Sequence, residues 1–129
     1  MARPDDLRYS PTHEWVRAEG DIAVVGITDH AVAQLSDLAF VDLPRPGTTV
    51  ERKGRFGEIE SVKAVSDLVS PVSGEIVAVH DELTDSLDLI SSSPFTEGWM
   101  IRVRMSHPAE LDDLMTAADY TAHVAAEEH

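Results

Sequence analysis

Two strand-like segments separated by two residues constrain the fold most. Phe56–Val62 and Val65–Val69 are rich in β-forming residues, and only Lys63 and Ala64 lie between them. A connection this short requires an antiparallel pair, because parallel strands need a crossover of a dozen or more residues. The sequence therefore predicts a tight β-hairpin with a lysine at its tip.

Other segments also have the composition of strands. In the last of these segments, Ile101, Val103 and Met105 alternate with two arginines. This alternation predicts a strand with one buried face and one solvent-exposed face. The full set of further predicted strands is Ile22–Ile27, Phe40–Leu43, Val72–Val79 and Met100–Met105.

Helices are predicted at two places. Thr28 or Asp29 can cap a short helix over residues 30–35 by accepting hydrogen bonds from its first turn. Ser106 is predicted to cap a further helix that contains Leu111, Leu114 and Met115 at helical spacing, and a last helix runs from about 117 to 126.

The chain is predicted to form one domain over residues 1–129, with a β core over about 20–105 and C-terminal helices over about 107–126. Its hydrophobic content of 43% supports a globular fold, and an aromatic content of only 5% predicts a mainly aliphatic core. The chain lacks an apolar run of about 20 residues, and its start lacks a targeting pattern. We therefore expect a cytoplasmic protein.

The charge is strongly negative and unevenly distributed. Residues 1–63 contain eleven acids and eight bases, whereas residues 64–129 contain thirteen acids and two bases, so the net charge of −14 lies mostly in the second half. Such a surface repels nucleic acids and anionic membranes. It attracts proteins with basic docking faces, although solubility alone is an alternative explanation for the charge.

Lysine is scarce in this chain. Eight of the ten basic residues are arginine, and the lysines are Lys53 and Lys63. A lysine amine can be acylated, whereas the guanidinium of arginine stays protonated. Val62 and Ala64 are small and apolar, which favours close approach of another protein to Lys63. Lys63 is therefore either an ordinary solvated turn lysine or an attachment point for a swinging arm.

Signatures of independent catalysis are absent from the sequence. Without cysteine there is no thiolate nucleophile or thiolate metal site, and no Gly-x-Ser-x-Gly motif occurs. His13-Glu14 begins like a zinc-protease motif, but position 17 holds Arg17 instead of a second histidine. The six histidines show no ligand spacing, so we expect surface or capping roles for most of them. The chain is predicted not to be an enzyme.

Seven groups of residues spread over nearly the whole chain form a recognisable pattern: His13–Val16, Gly26–Ala31, Val41–Pro44 with Pro46-Gly47, Gly57–Ala64, Ser70–Glu75, Ser93–Phe95 and Gly98–Ile101. In this pattern the chain resembles the glycine cleavage system H proteins. Within these segments, Val62-Lys63-Ala64 has the form typical of H proteins, whereas lipoyl domains of 2-oxo acid dehydrogenases typically have Asp-Lys-Ala and biotin carriers Met-Lys-Met.

The resemblance implies a mainly β fold, a barrel-sandwich hybrid of two antiparallel sheets with a helical C-terminus. It implies that lipoic acid is amide-linked to Lys63, on a hairpin turn. It also implies that lipoyl-attaching enzymes recognise Glu60, three residues before the lysine, and Gly74, eleven after it.

The implied function is that of a non-catalytic shuttle. The glycine decarboxylase (P protein) would place the aminomethyl group of glycine on the lipoyl arm, the aminomethyltransferase (T protein) would remove it, and the dihydrolipoyl dehydrogenase (L protein) would reoxidise the arm. In this family the loaded arm folds into a surface cleft, for which Thr12, Glu14 and Asp67 are the matching positions. A shuttle that visits several enzymes is expected to be a monomer.

Two positions depart from the family pattern, because His80 and Ser91 stand where asparagine is common. Both lie away from the attachment motif and concern turn geometry. Lys53, in a basic loop without flanking strands, is expected to stay unmodified. Two other functions remain open: a lipoate donor that feeds other enzymes, and an unmodified scaffold that binds basic partners. An independent hydrolase is the least favoured alternative.

Overall fold

The computed structural model describes residues 3–127, so that Met1, Ala2, Glu128 and His129 lie outside it. The strands in this range are β1 Arg8–Tyr9, β2 Glu14–Glu19, β3 Ile22–Ile27, β4 Leu38–Asp42, β5 Thr49–Val50, β6 Arg55–Ser61, β7 Val65–Val69, β8 Gly74–Val79 and β9 Ile101–Met105. The helices are α1 Asp29–Leu35, α2 Asp88–Ser92 and α3 Ala117–Glu127, with 3-10 turns at Asp81–Thr84 and Pro108–Asp113. No helix within residues 3–127 is long and apolar enough to cross a bilayer.

The strands form two antiparallel sheets. The larger has six strands in the order β1-β2-β3-β9-β8-β5, and the smaller has three in the order β4-β6-β7. The predicted mainly β fold, with two antiparallel sheets and a helical C-terminus, is confirmed. The predicted hairpin forms the β6–β7 edge of the smaller sheet.

The core between the sheets is almost wholly aliphatic. Each sheet contributes alternate residues to it, in keeping with the two-residue period of a strand. Representative buried members are Val16, Val25, Ile59, Leu68, Ile76 and Val103. The predicted aliphatic core is confirmed for this layer.

A second, aromatic core lies between the larger sheet and α3. Tyr9 and Tyr120 stack with ring centroids 4.9 Å apart, and Trp15 and Phe95 complete the cluster. The Trp15 indole donates a hydrogen bond of 2.8 Å to the Pro94 carbonyl, so its one polar atom is satisfied. The few aromatic residues are therefore concentrated where α3 docks onto the sheet.

Strand β9 and helix α1 follow the sequence closely. Ile101, Val103 and Met105 are buried while Arg104 is exposed, which confirms the predicted alternation. Helix α1 begins one residue earlier than predicted, and Thr28 is its cap because its hydroxyl accepts a hydrogen bond from the Ala31 amide.

The helix predicted after Ser106 forms only as a short 3-10 helix, Pro108–Asp113, and the prediction that Ser106 caps it is wrong. The Ser106 amide donates instead to the Ser73 carbonyl at 3.0 Å, and the following segment is only a 3-10 turn without a side-chain cap. Met115 is extended and exchanges two backbone hydrogen bonds with Tyr9, of 2.9 and 2.8 Å. Pairing with the edge strand β1 thus overrides the helical spacing of the leucines.

The two departures from the family pattern are accommodated without disturbing the core. The His80 ring stacks on Trp99 at a centroid distance of 4.4 Å, and its Nδ1 donates to the Trp99 carbonyl at 2.8 Å. Ser91 is exposed on α2. Neither residue touches the lysine hairpin.

Candidate functional site

The lysine hairpin is closed by Ser61. Its amide donates to the Ala64 carbonyl at 2.8 Å, while its hydroxyl accepts from the Ala64 amide at 3.1 Å. The Val62 amide donates to the Asp37 carbonyl at 2.9 Å, which ties the tip to the loop between α1 and β4. Val62 and Lys63 are therefore the two loop residues at the tip of a well-braced turn.

The surroundings of Lys63 are unusually apolar for an exposed turn. Val62 is 78% exposed and Val65 is 58% exposed, and Lys63 itself is exposed. Within residues 3–127, no ion pair of Lys63 occurs. The hairpin thus presents an uncommitted amine among apolar side chains that an approaching protein can cover.

The outer face of the smaller sheet adds negative charge beside this apolar tip. Phe40 and Val65 lie opposite Glu60 on the neighbouring strands, and Asp67 lies opposite Glu58. Residues directly opposite each other share a face, so these side chains form one surface that borders Lys63. Acidic and apolar groups together suit a partner with basic and apolar contacts.

A cavity of ≈ 490 Å³ lies near the far end of β7. Its apolar walls come from two prolines, a valine and a leucine, and hydroxyl and charged groups occupy the remainder. The lining residues are Ser10, Pro11, Thr12, Arg52, Lys53, Val69, Ser70, Pro71, Asp113 and Leu114. Six of the ten lining residues are polar or charged, so the cavity suits a ligand that has both an apolar body and polar groups.

Glu14 lies behind the cavity wall rather than on it. The residue is only 2% exposed, and its Oε1 accepts hydrogen bonds from the Ser10 hydroxyl at 2.8 Å and from the Thr12 hydroxyl. Its Oε2 accepts from the Val69 amide at 3.2 Å. Glu14 therefore fixes three groups of the cavity wall.

Burial dominates the ionisation of this carboxyl. It raises the pKa of Glu14 to about 7, although the hydrogen bonds from Thr12, Ser10 and Val69 act in the opposite direction. The folded protein therefore holds this proton more tightly than the unfolded chain, whose carboxyl titrates near its ordinary value of 4.5.

A pH-dependent loss of stability follows from Glu14. Between pH 4.5 and about 7 unfolding releases a proton, so the free energy of unfolding falls as pH rises through this window and levels off above it. Raising a pKa from 4.5 to about 7 corresponds to a total on the order of 3 kcal/mol. Urea unfolding of the wild type and Glu14→Gln across this range measures the effect, because the glutamine cannot ionise.

The difference in unfolding free energy between the two proteins is expected to move in favour of Glu14→Gln as pH rises. Glu19→Gln, at the exposed end of the same strand, is the matched control and should track the wild type. Parallel pH profiles for the wild type and Glu14→Gln would refute the assignment.

The structure brings some of the predicted site residues together and separates others. Glu60 shares the hairpin with Lys63. Thr12 lines the cavity, and Glu14 lies behind it and accepts a hydrogen bond from the Thr12 hydroxyl. Asp67 lies on the outer face of the hairpin, where its carboxylate accepts a 3.0 Å hydrogen bond from Arg55, and it does not line the cavity.

Gly74 belongs to the other sheet, and the fold itself requires it. An ideal Cβ at this position would lie 2.0 Å from the Arg104 carbonyl oxygen, because β8 and β9 approach closely there. The residue therefore has a structural reason to be glycine, independent of recognition by an attaching enzyme.

Of the ten residues that line the cavity, sequence reasoning predicted only Thr12, and the nine it missed include Ser10 and Lys53. Ser10 has a recognisable signal, since Ser10 and Thr12 place hydroxyls four and two positions before Glu14. Lys53 has none, because it reaches the cavity through a turn in which its amide donates to the Ser70 carbonyl at 2.7 Å.

Comparisons with known proteins agree with this architecture. A profile of the family described as glycine cleavage H-protein matches residues 7–127. The chain is 50% identical over 129 residues, all of both chains, to the glycine cleavage system H protein of Nitratidesulfovibrio vulgaris strain DP4. It is 51% identical over 124 residues to the mitochondrial glycine cleavage system H protein of Oryza sativa subsp. indica, covering 96% of this chain and 76% of the relative.

A solved structure gives the same result for the fold. The crystal structure of a glycine cleavage system H protein from Mycobacterium marinum superposes with a TM-score of 0.87 at 38% identity, over 95% of this chain and 99% of that one. The profile match and the extent of these similarities show that the chain belongs to the glycine cleavage H-protein family.

Proposed function

We propose that this chain is the lipoyl carrier of a glycine cleavage system, with lipoic acid amide-linked to Lys63. It receives the aminomethyl group of glycine from the P protein, delivers it to the T protein and is reoxidised by the L protein. It acts as a shared substrate of these enzymes and not as an enzyme. The observation that carries the proposal is the exposed Lys63 at the braced tip of the hairpin, in a member of the H-protein family.

The residues around Lys63 fit this attachment. Acylation consumes the free amine and removes its charge, which disturbs nothing else here because no ion pair of Lys63 occurs within residues 3–127. The exposed Val62 and Val65 offer apolar contacts to an attaching enzyme, and Glu60 offers a negatively charged carboxylate. When bound, a lipoyl group supplies a reducible disulfide at the end of a long arm.

The cavity supports the proposal because it lies beyond the reach of an unmodified lysine. Lys63 does not line it, whereas Val69 does. The strand between them spans about 13 Å from Val65 to Val69, at roughly 3.3 Å per residue. An amine lengthened by an acyl arm could cross this strand and place its end in the cavity.

Each cavity residue then has a distinct role. Pro11, Val69 and Leu114 exclude water from the end of the arm, while the Thr12 hydroxyl offers a hydrogen-bonding group at the wall. Glu14 is a positioning residue, since it holds the Ser10 and Thr12 hydroxyls from behind. Asp67 belongs to the acidic outer face that meets partner enzymes.

Loading by the P protein from glycine tests the function. With lipoylated protein, P protein and labelled bicarbonate, we expect label to enter the carboxyl group of glycine only when the carrier is present. A lipoate donor or an unmodified scaffold would not support this exchange. The same reaction with the unlipoylated chain is the control and should stay at background.

A further inference from the structure

A cluster of histidines lies away from the lysine hairpin, at the C-terminal end of α3. It joins His13 from the turn between β1 and β2, His30 from α1 and Glu127 from α3. His13 Nε2 lies 3.1 Å from Glu127 Oε2, and His30 Nε2 lies 3.8 Å from the same oxygen. Three elements distant in sequence thus direct ligand-type atoms to one point.

The ring of His13 is held in place by a chain of two hydrogen bonds. His13 Nδ1 lies 2.7 Å from the Tyr120 hydroxyl, which itself lies 2.7 Å from the Thr28 hydroxyl. With Nδ1 occupied in this way, Nε2 faces Glu127. Histidines that bind metals commonly have their second nitrogen fixed by such an outer contact.

His123 brings a further nitrogen to the cluster. Its Nε2 lies 3.5 Å from Glu127 Oε1, and its ring centroid is 6.0 Å from that of His13. This nitrogen is buried and has no hydrogen-bond partner within the described residues. His123 thus contacts Oε1 of Glu127, whereas His13 contacts Oε2 of the same carboxylate.

The backbone of the turn gives an independent indication that the imidazole of His13 matters. His13 has a φ of 76°, in the left-handed region that only a few per cent of non-glycine residues adopt. A turn with only a structural task would accept glycine here. Such backbone strain is commonly found where the side chain has a functional task of its own.

A divalent cation accounts for the convergence of these ligand atoms. The ligand atoms of His13, His30 and Glu127 all lie within 4.8 Å of one another. Ligands about 2.0–2.1 Å from a tetrahedral ion lie roughly 3.3–3.5 Å from one another. The distances of 3.1 and 3.8 Å bracket this value, so small side-chain movements would complete the geometry.

We propose that His13, His30 and Glu127 form a binding site for a zinc-class divalent cation, with His123 contacting the second oxygen of the same carboxylate. Imidazole nitrogens with one carboxylate suit zinc and its transition-metal neighbours. Magnesium and calcium prefer sets of oxygen ligands and do not fit. The bound ion joins the end of α3 to α1 and to the turn that carries Thr12, and therefore stabilises the wall of the cavity.

Calorimetric titration of the untagged, chelator-treated, full-length protein with zinc chloride tests the site. We expect one ion per chain, a higher melting temperature with zinc and no response to magnesium. His13→Asn and Glu127→Gln should each weaken zinc binding at least tenfold. Asparagine tolerates the left-handed backbone, so the first variant removes the ring and keeps the turn. His107→Asn makes the same chemical change at an exposed position outside the cluster and should bind as the wild type does.

Cobalt provides a second readout that does not depend on heat. We expect the intense visible bands of tetrahedral cobalt(II) with the wild type and His107→Asn, and their loss in Glu127→Gln. The Glu127 side chain is 40% exposed at the end of its helix, so this variant decides the matter even if His13→Asn does not fold. Wild-type zinc affinity in Glu127→Gln, or no zinc binding by the wild type, would overturn the proposal.

Discussion

Lys63→Arg is expected to abolish lipoylation and to reduce glycine–bicarbonate exchange to the background of the assay. Arginine keeps the charge and nearly the length of lysine but offers no acylatable amine. Because the residue is exposed at a turn, the free energy of unfolding should change by no more than about 0.5 kcal/mol. Exchange kinetics and urea unfolding of the same preparation measure both quantities.

Lys53→Arg is the matched control for this variant. It removes the second lysine of the chain and should retain full lipoylation and exchange. Exchange by Lys63→Arg at a rate comparable to the wild type would show that the arm is elsewhere or that no arm is needed. Loss of exchange in Lys53→Arg with unchanged lipoylation would instead direct attention to the cavity that Lys53 lines.

Gly74→Ala is expected to destabilise the fold by about 3 kcal/mol or more. The added Cβ would lie 2.0 Å from the Arg104 carbonyl oxygen and 2.9 Å from Val103 Cγ1, and the first of these is backbone that cannot rotate away. The strands β8 and β9 would have to separate at their Gly74–Met105 pair. Urea unfolding monitored by tryptophan fluorescence measures the loss.

Gly20→Ala separates this clash from the conformational cost of replacing glycine. Gly20 also has a positive φ, of 67°, but a Cβ there meets nothing within 4 Å. We expect it to cost about 1 kcal/mol. Equal losses in the two variants would refute the steric explanation for Gly74.

The same variant separates folding from enzyme recognition. If Gly74 acts through the fold, the lipoylation of Gly74→Ala should recover under conditions in which the variant is folded. Glu60 lies on the hairpin itself, so Glu60→Gln should keep its stability and lower the rate of lipoylation. This contrast would assign a structural role to Gly74 and a role in enzyme recognition to Glu60.

The local sequence pattern was sufficient to predict the lysine hairpin and strand β9. Both depend on strand period and on a very short connection, which are properties of neighbouring residues. The predicted lysine tip is therefore found where the sequence places it, with Val62 and Val65 exposed beside it. The helix predicted after Ser106 ends at Asp113 as a 3-10 helix and does not reach Met115, because Met115 pairs with Tyr9, more than 100 residues away in sequence.

The cavity and the histidine cluster lie beyond what spacing can predict. Residue spacing does not distinguish Glu14 from the other acids, and only the family resemblance placed it at a cleft; its burial and its hydrogen bond from the Val69 amide show how it supports the cavity wall. His13, His30 and Glu127 show no ligand spacing because each comes from a different element. Tertiary packing creates both features.

Site-specific mass analysis tests the central proposal most directly. The protein is incubated with a lipoyl-attaching enzyme, ATP and lipoate, and its intact mass and peptide map are then determined. We predict a single lipoyl increment on the peptide that contains Lys63 and none on the peptide that contains Lys53. A folded protein that gains no increment, or gains it on Lys53, would contradict the proposal.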